Sequence, residues 1–333
     1  MKNIIGLLLI DTPHSALNNA GNDIGARTEN TIAVKKITKK GKQGYEVYPY
    51  ISAQAFRYWW RHTLSERYGW NLSPIERDKK IAFTKANPFK YEDDDVFGYM
   101  RAQSKDTVTR ISPLKCSPLV SVIPTSIVDD YGVMARHEGD PVPYEHQFYS
   151  TIMEGVFSLD VDLVGRFSMI NKTGYKNITD KMKEEWEKVG AIVKENVVEL
   201  PKSIREKRIK DTILAIPYMY GGAKQTLHLT DVTPKFIILA EINGGNHLFM
   251  NIVQSEKGIL KINFEALKEV LYDYKEDILT NVYIGKRKGF EDEIESDINI
   301  FIKQVKEERV FEKEIIFNSI NTVISQFVEE IVL

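Results

Sequence analysis

YISAQAFRYWWR, residues 50–61, decides how this chain is read. An apolar, tyrosine-rich run at 45–51 leads into it and has the length and composition of a strand. Ser52 then stands where a helix N-cap belongs, with a hydroxyl that can satisfy a free donor of the first turn. From Ala53 the period is helical, and a helix is expected to about Tyr68. Ala53, Phe56, Trp60 and Leu64 share one face, which must be buried. Gln54, Arg57 and Arg61 follow at i, i+3 and i+7 as a second stripe. The stripe admits two readings. One is an ordinary amphipathic helix with solvated arginines. The other is a pinned helix that aims an amide and two guanidiniums along a row of phosphates, each guanidinium donating a charge-assisted pair of hydrogen bonds.

Upstream, residues 3–10 are a continuous apolar run, the pattern of a central strand, and 11–30 read as a long Asn- and Gly-rich loop. Residues 31–38 and 45–51 flank KKGKQG, which predicts a basic hairpin. Downstream, 68–110 has weak periodicity and the acidic run EDDD, and reads as an insertion. Residues 117–128 are strand-like but interrupted by Pro118 and Pro124. The stretch 128–150 reads as a projecting loop or hairpin, and 157–163 alternates like a half-buried strand. Helices are expected at 178–194 and 202–216, and YGGAKQT (220–226) is a glycine turn. Strands are expected at 235–242 and 247–253, and the chain from 264 on reads as mostly helical. With the insertions set aside the order is βαββαβ, an α+β ferredoxin-like (RRM-like) plait. Many RNA-binding modules use this plait, although fold alone does not fix function.

The 333 residues carry a net charge of −2, so the molecule is not a polycation and any nucleic-acid site must be a local patch. Basic patches occur at 27–42, from Arg27 to Lys42, at 202–210 and at 286–288, with acid gathered at 92–95 and 291–297. Solvated loops and helix faces remain the plainer reading of the second and third. Cys116 is the single cysteine, which excludes a disulfide framework. The opening run MKNIIGLLLID is too short to span a bilayer, and a cytoplasmic protein is expected. YGGAKQT lacks the spacing of a phosphate-binding Walker loop, but Gly221 and Gly222 would let Lys224 and Gln225 reach a phosphate or a base edge. The six histidines show no close metal spacing, and no serine sits in a nucleophile elbow. Asp23, alone or with Asp11, is the carboxylate candidate for a metal, with a structural role the plainer reading. No enzyme, cofactor or metal is expected.

SALNNAGND, the basic stretch after it, YPYISAQAFRYWWR, DDDVFGYMRA, RISPLKCSPLVSV and YGGAKQTLHLTDVTP occur in this order over roughly residues 1–250. Together they resemble the backbone subunit of the type I CRISPR surveillance complex, Cascade, in the RAMP superfamily. The DevR-like subunit of type I-B systems is the nearest subgroup. The resemblance implies a palm (1–67, 111–127, 151–253), fingers (68–110), a thumb (128–150) and a helical C-terminal region (254–333). It implies copies stacked head to tail along the CRISPR RNA, beside other Cascade subunits, holding its backbone while its bases pair with a target DNA strand.

By the same resemblance Ser52, Gln54, Arg57 and Arg61 fall on the RNA-gripping strand–helix junction, and Lys224 and Gln225 on the glycine-loop contact. Asn18, Asn19 and Asn22 fall in the loop that lines the RNA path, with Arg27 in the basic stretch beyond it. Val133 and Met134 are candidates for an apolar thumb wedge that kinks the guide. The related type III subunit cuts RNA with an aspartate in the loop after the first strand, and Asp23 occupies a comparable loop. A metal-dependent endoribonuclease using Asp23 therefore stays open as the alternative.

Overall fold

The apolar run at the start of the chain forms a strand, Lys2–Ser15, buried along nearly its whole length. This computed structural model describes residues 1–22, 31–41, 44–78, 81–102, 107–136, 138–172, 174 and 176–331. Lys2–Ser15 is the middle of the main sheet, antiparallel to Phe236–Asn243 on one side and to Val142–Asp160 on the other. The short strands Leu114–Cys116 and Leu119–Ser121, broken at Pro118, pair with the far edge of Val142–Asp160. The sheet continues through Gly44–Ile51 to Lys36–Gly41, a basic hairpin, but the strand expected at 31–38 is split, and Thr31–Val34 pairs elsewhere, with Asn19–Asn22 and Val142–Asp160. The strand order and directions are those a βαββαβ chain takes up when α1 (Ala53–Tyr68) and the helix Lys202–Leu214 are its two crossovers.

Helix α1 begins and ends where its local chemistry requires. Ser52 Oγ accepts from Ala55 N–H at 3.3 Å, and Gly69 closes the helix in the left-handed conformation at φ 68°. Phe56, Trp59, Trp60, Thr63 and Leu64 are buried, while Ala53 is only half-buried. Trp60 fixes the helix on the sheet. Its ring meets Phe157 edge-on at 5.0 Å, and its indole N–H donates to the Thr212 carbonyl at 2.8 Å, so burial leaves no orphan donor. Gly6 lies beneath Phe157 and has no room for a Cβ.

Several expectations are corrected. The insertion at 68–110 is not without structure: its acidic run lies in helix α2 (Glu92–Phe97), and Asp93, Asp94 and Asp95 are buried. The region 178–194 is not one helix. Helix α3 (Asp180–Glu187) stops before Gly190, whose φ is +99°, and the β-branched residues beyond it form strands Ile192–Lys194 and Val197–Glu199. Phe167, Trp186 and Val198 form a small core there with Phe89. Helix α4 (Lys202–Leu214) matches its expectation, but Arg205 and Arg208 in it are buried and ion-paired, so 202–210 is not a surface patch. Likewise Lys286 is buried against Asp292.

Helix α5 (Gln225–His228) is a single turn inside the expected glycine turn. No strand forms at 247–252. His247 turns back so that its Nε2 sits 3.0 Å from the Gly6 carbonyl, while Nδ1 accepts from Phe249 N–H at 3.2 Å. The C-terminal region is not purely helical. Helices α6 (Phe264–Asp273), α7 (Ile294–Glu307) and α8 (Ile320–Glu330) alternate with strands Val282–Lys286 and Ile315–Asn318, which extend the main sheet. Helix α8 packs with α1 and α4 on one face of that sheet, and α6 and α7 cover the other.

The strand Val142–Asp160 runs farther than the alternation at 157–163 indicates. Its C-terminal half is a sheet strand, and its N-terminal half leaves the sheet to pair with Val128–Met134. The 128–150 region is therefore a hairpin built on an extension of a palm strand, reaching about 25 Å at roughly 3.3 Å per residue.

Candidate nucleic-acid interface

The loop after the first strand, the start of α1 and the glycine loop come together. Asn18 Oδ1 accepts from Ser52 N–H at 2.9 Å, and the Asn18 carbonyl accepts from Lys35 N–H at 3.0 Å. Next to it, the Leu17 carbonyl accepts from Ala223 N–H at 2.9 Å, which ties the glycine loop to the same point. Gly221 and Gly222 permit this approach. A Cβ on Gly221 would run into the Trp59 ring, and one on Gly222 into Leu17. Ser52 caps Ala55, so the Ala53 and Gln54 N–H groups of the first turn have no protein acceptor among the described residues. Those donors and the helix dipole favour an anion there.

Lys224 starts α5 in the left-handed conformation at φ 57°. Among the described residues it has no ion-pair partner, and the same holds for Lys35, Lys36 and Lys40 of the basic hairpin. Gln54 is exposed, Asn19 half-buried and Asn22 exposed, the last two in a short strand against Thr31–Val34. Gln225 serves the loop instead of facing outward. Its amide donates to the Gly221 carbonyl and, at 3.1 Å, to the Thr230 carbonyl.

The arginine stripe departs most from expectation. Arg57 donates to the Leu114 carbonyl, to the Phe97 carbonyl at 2.8 Å and to Ser112 Oγ at 3.1 Å. Arg61 pairs with the buried Asp93 at 2.6 Å. Both guanidiniums are turned toward α2 and the chain beyond it, where half-burial favours protein partners over water. Burial also pushes the neighbouring Cys116 thiol up to about 12, so it is no nucleophile at neutral pH. Arg27 and Asp23 lie outside the described residues. Asp11 is half-buried, and burial raises its carboxyl above the usual range against the opposing pull of Lys235.

The 128–150 hairpin meets the glycine loop at its root. His228 of α5 packs 5.7 Å from the His146 ring and 5.8 Å from the Phe148 ring, and His14 stands 6.3 Å from Phe148 on the other side. Burial, then His146 and Lys224, hold His228 below the usual histidine range. At the far end Tyr131, Val133, Met134 and Val142 are exposed. Met134 stands opposite Val142 and Val133 opposite Pro143, so the two wedge candidates project from opposite faces of the hairpin. A row of aromatic rings, the exposed Tyr58 and Tyr220 with the half-buried His62 between them, was missed in the sequence. The signal was there in the i, i+4, i+8 spacing of Gln54, Tyr58 and His62.

Two comparisons agree with this architecture. The fold matches a chain described as "CRISPR RNA-guided surveillance complex" at TM-score 0.52 and 11% identity, covering 98% of each chain. It matches a second, described as "CRISPR RNA-guided surveillance complex, pre-nicking", at TM-score 0.53 and 11% identity, covering 98% of this chain and 99% of that one. Curated proteins include no match. The model of the family "CRISPR-associated negative auto-regulator DevR/Csa2" matches residues 13–249, more than half of the chain, and the protein belongs to that family. No helix among the described residues is long and apolar enough to cross a membrane.

Proposed function

We propose that this protein is a CRISPR RNA-binding backbone subunit of a type I Cascade complex, type I-B in kind, which stacks head to tail along the guide as a helical ribonucleoprotein filament and presents its bases for target DNA pairing in antiviral defence. Its part is to hold RNA without cutting it. The observation that carries this is the convergence of Asn18, Ser52 and Ala223 at the start of α1, beside a free Lys224 and two unused backbone donors. Such a site recognises phosphate rather than sequence, as delegated base pairing requires. Gln54, Asn19 and Asn22 line the path, and Lys36 and Lys40 extend its positive charge. Arg57 and Arg61 act from behind, holding the fingers to α1. The exposed apolar residues of the thumb suit a wedge, with Val133 and Met134 as its candidates.

One experiment tests the reading. The purified chain is run on a native gel with labelled single-stranded RNA, with and without magnesium. Stepwise shifted bands with intact RNA are expected. Magnesium-dependent fragments that vanish in Asp23→Ala would overturn it and make this an RNA-cutting subunit.

A further inference from the structure

On α1, Gln54, Tyr58 and His62 follow one another at intervals of four, and Tyr58 is 59% exposed. The Tyr58 and His62 rings lie 6.0 Å apart and nearly parallel, at 16°. Tyr220 from the glycine loop adds a third ring, 4.9 Å from His62 and tilted by 52°. Among the described residues Tyr58 and Tyr220 stay exposed, Tyr220 at 45%. Tyr220 is held in place by its neighbours. Gly221 is pressed on Trp59, Gln225 bonds the Gly221 carbonyl, and Tyr220 N–H reaches Thr63 Oγ1 at 3.4 Å.

A rigid aromatic row in water costs hydrophobic free energy unless something stacks on it. Its setting indicates what. Gln54, the two free α1 donors and Lys224 lie at one end, and Glu66 faces Tyr220 at the other. A phosphate is attracted at the first end and repelled at the second. A nucleotide anchored by its phosphate near Lys224 would therefore direct its base toward the rings. Stacking is indifferent to base identity because every base has a π-face.

We propose that Tyr58, His62 and Tyr220 form a stacking platform for one unpaired base of the bound RNA, beside the phosphate site at the start of α1. This rests on the RNA-binding reading above and adds a second contact to it.

The test crosses protein and RNA changes. Tyr58→Ala with Tyr220→Ala and the matching Phe pair are compared with wild type on single-stranded RNA and on an abasic RNA of equal length, by fluorescence anisotropy over a salt series. Both tyrosines are exposed, and a thermal melt checks that the Ala pair stays folded. The expected result is at least tenfold weaker binding of normal RNA by the Ala pair, with an unchanged salt slope. The Phe pair should bind like wild type, and all three proteins should bind abasic RNA alike. Lys224→Ala should instead flatten the salt slope. Wild-type affinity in the Ala pair would overturn the platform while Lys224→Ala still upholds RNA binding. Altered self-association of the Ala pair with unchanged RNA affinity would overturn it in favour of a contact between copies. No RNA binding by wild type would overturn both readings.

Discussion

Replacing Asp95 by alanine should loosen α2 from the main body of the protein. Asp95 is fully buried and accepts from Arg110 Nη2, from Arg208 Nη1 at 2.7 Å and from Gly165 N–H at 3.0 Å. The two arginines come from separate parts of the chain and are themselves buried, at 4% and 3% exposure. Removing the carboxylate strands two guanidiniums in low dielectric. Breaking one buried pair in this way costs about 3–5 kcal/mol, and two arginines sharing one partner place this case at the upper end. A loss of about 5 kcal/mol is a large part of a typical domain stability of about 5–15 kcal/mol. Urea unfolding followed by tryptophan fluorescence is the assay, since Trp186 and Trp70 report on this region. With a slope of about 3 kcal/mol per molar, the midpoint should fall by about 1.5–2 M. Glu92→Ala on the same helix, which frees only the exposed Asn71 N–H, should cost about 1 kcal/mol or less. An Asp95→Ala loss no larger than that of Glu92→Ala would refute the claim that this carboxylate ties α2 down.

Arg57→Ala with Arg61→Ala should lower the melting temperature by several degrees and leave the salt slope of RNA binding nearly unchanged; a normal melt with a slope reduced by about two would instead put both arginines on phosphates. Glu154 is raised by burial from 4.5 to about 7, so its contribution is fully present below pH 4.5 and lost as pH rises through about 7. Glu154→Gln should therefore add about 1–3 kcal/mol at pH 8 and little at pH 4.5, as paired denaturant titrations would show. His247 is held low by burial, so its neutral form contributes stability above about pH 6.5 that is lost as pH falls. His247→Gln should be less steeply destabilised between pH 7 and 5.5, and an unchanged steepness would count against it. Deleting 130–148 should leave the palm folded by circular dichroism but abolish ordered stacking on RNA in electron micrographs, and intact filaments would rule out the thumb's role.

What could be read in the sequence was what neighbours along the chain decide. The limits of α1 were legible because its cap, its period and its terminal Gly69 are local. The βαββαβ order was legible because each strand is an apolar run of its own. The burial of the acidic run of α2 was not legible for the converse reason. Its partners Arg110 and Arg208 lie 15 and 113 residues away from Asp95. Arg57 and Arg61 were misdirected by the same ignorance, since Asp93 lies 32 residues from Arg61. The strands at 282–286 and 315–318 were lost between amphipathic helices, being too short for a period to show.

The misread arginines bear on how a chain of net charge −2 could offer the proposed phosphate site. Arg57, Arg61, Arg110, Arg205 and Arg208 are engaged by carboxylates or carbonyls inside the protein, so their charge is spent on contacts within the fold. Among the described residues without an ion-pair partner, Lys35, Lys36 and Lys40 belong to the basic hairpin and Lys224 to the glycine loop, the latter tied to the start of α1 through Leu17. If the proposed head-to-tail stacking holds, this division serves it. Near-neutral overall charge keeps repulsion between neighbouring copies small, while a few unpaired lysines and two helix donors supply local attraction to a polyanion. If the arginines instead faced outward, each copy would add strong positive potential to its neighbours, and the proposed filament would need RNA to form at all. The protein alone should therefore self-associate weakly at moderate salt, with RNA aligning copies that already tolerate one another.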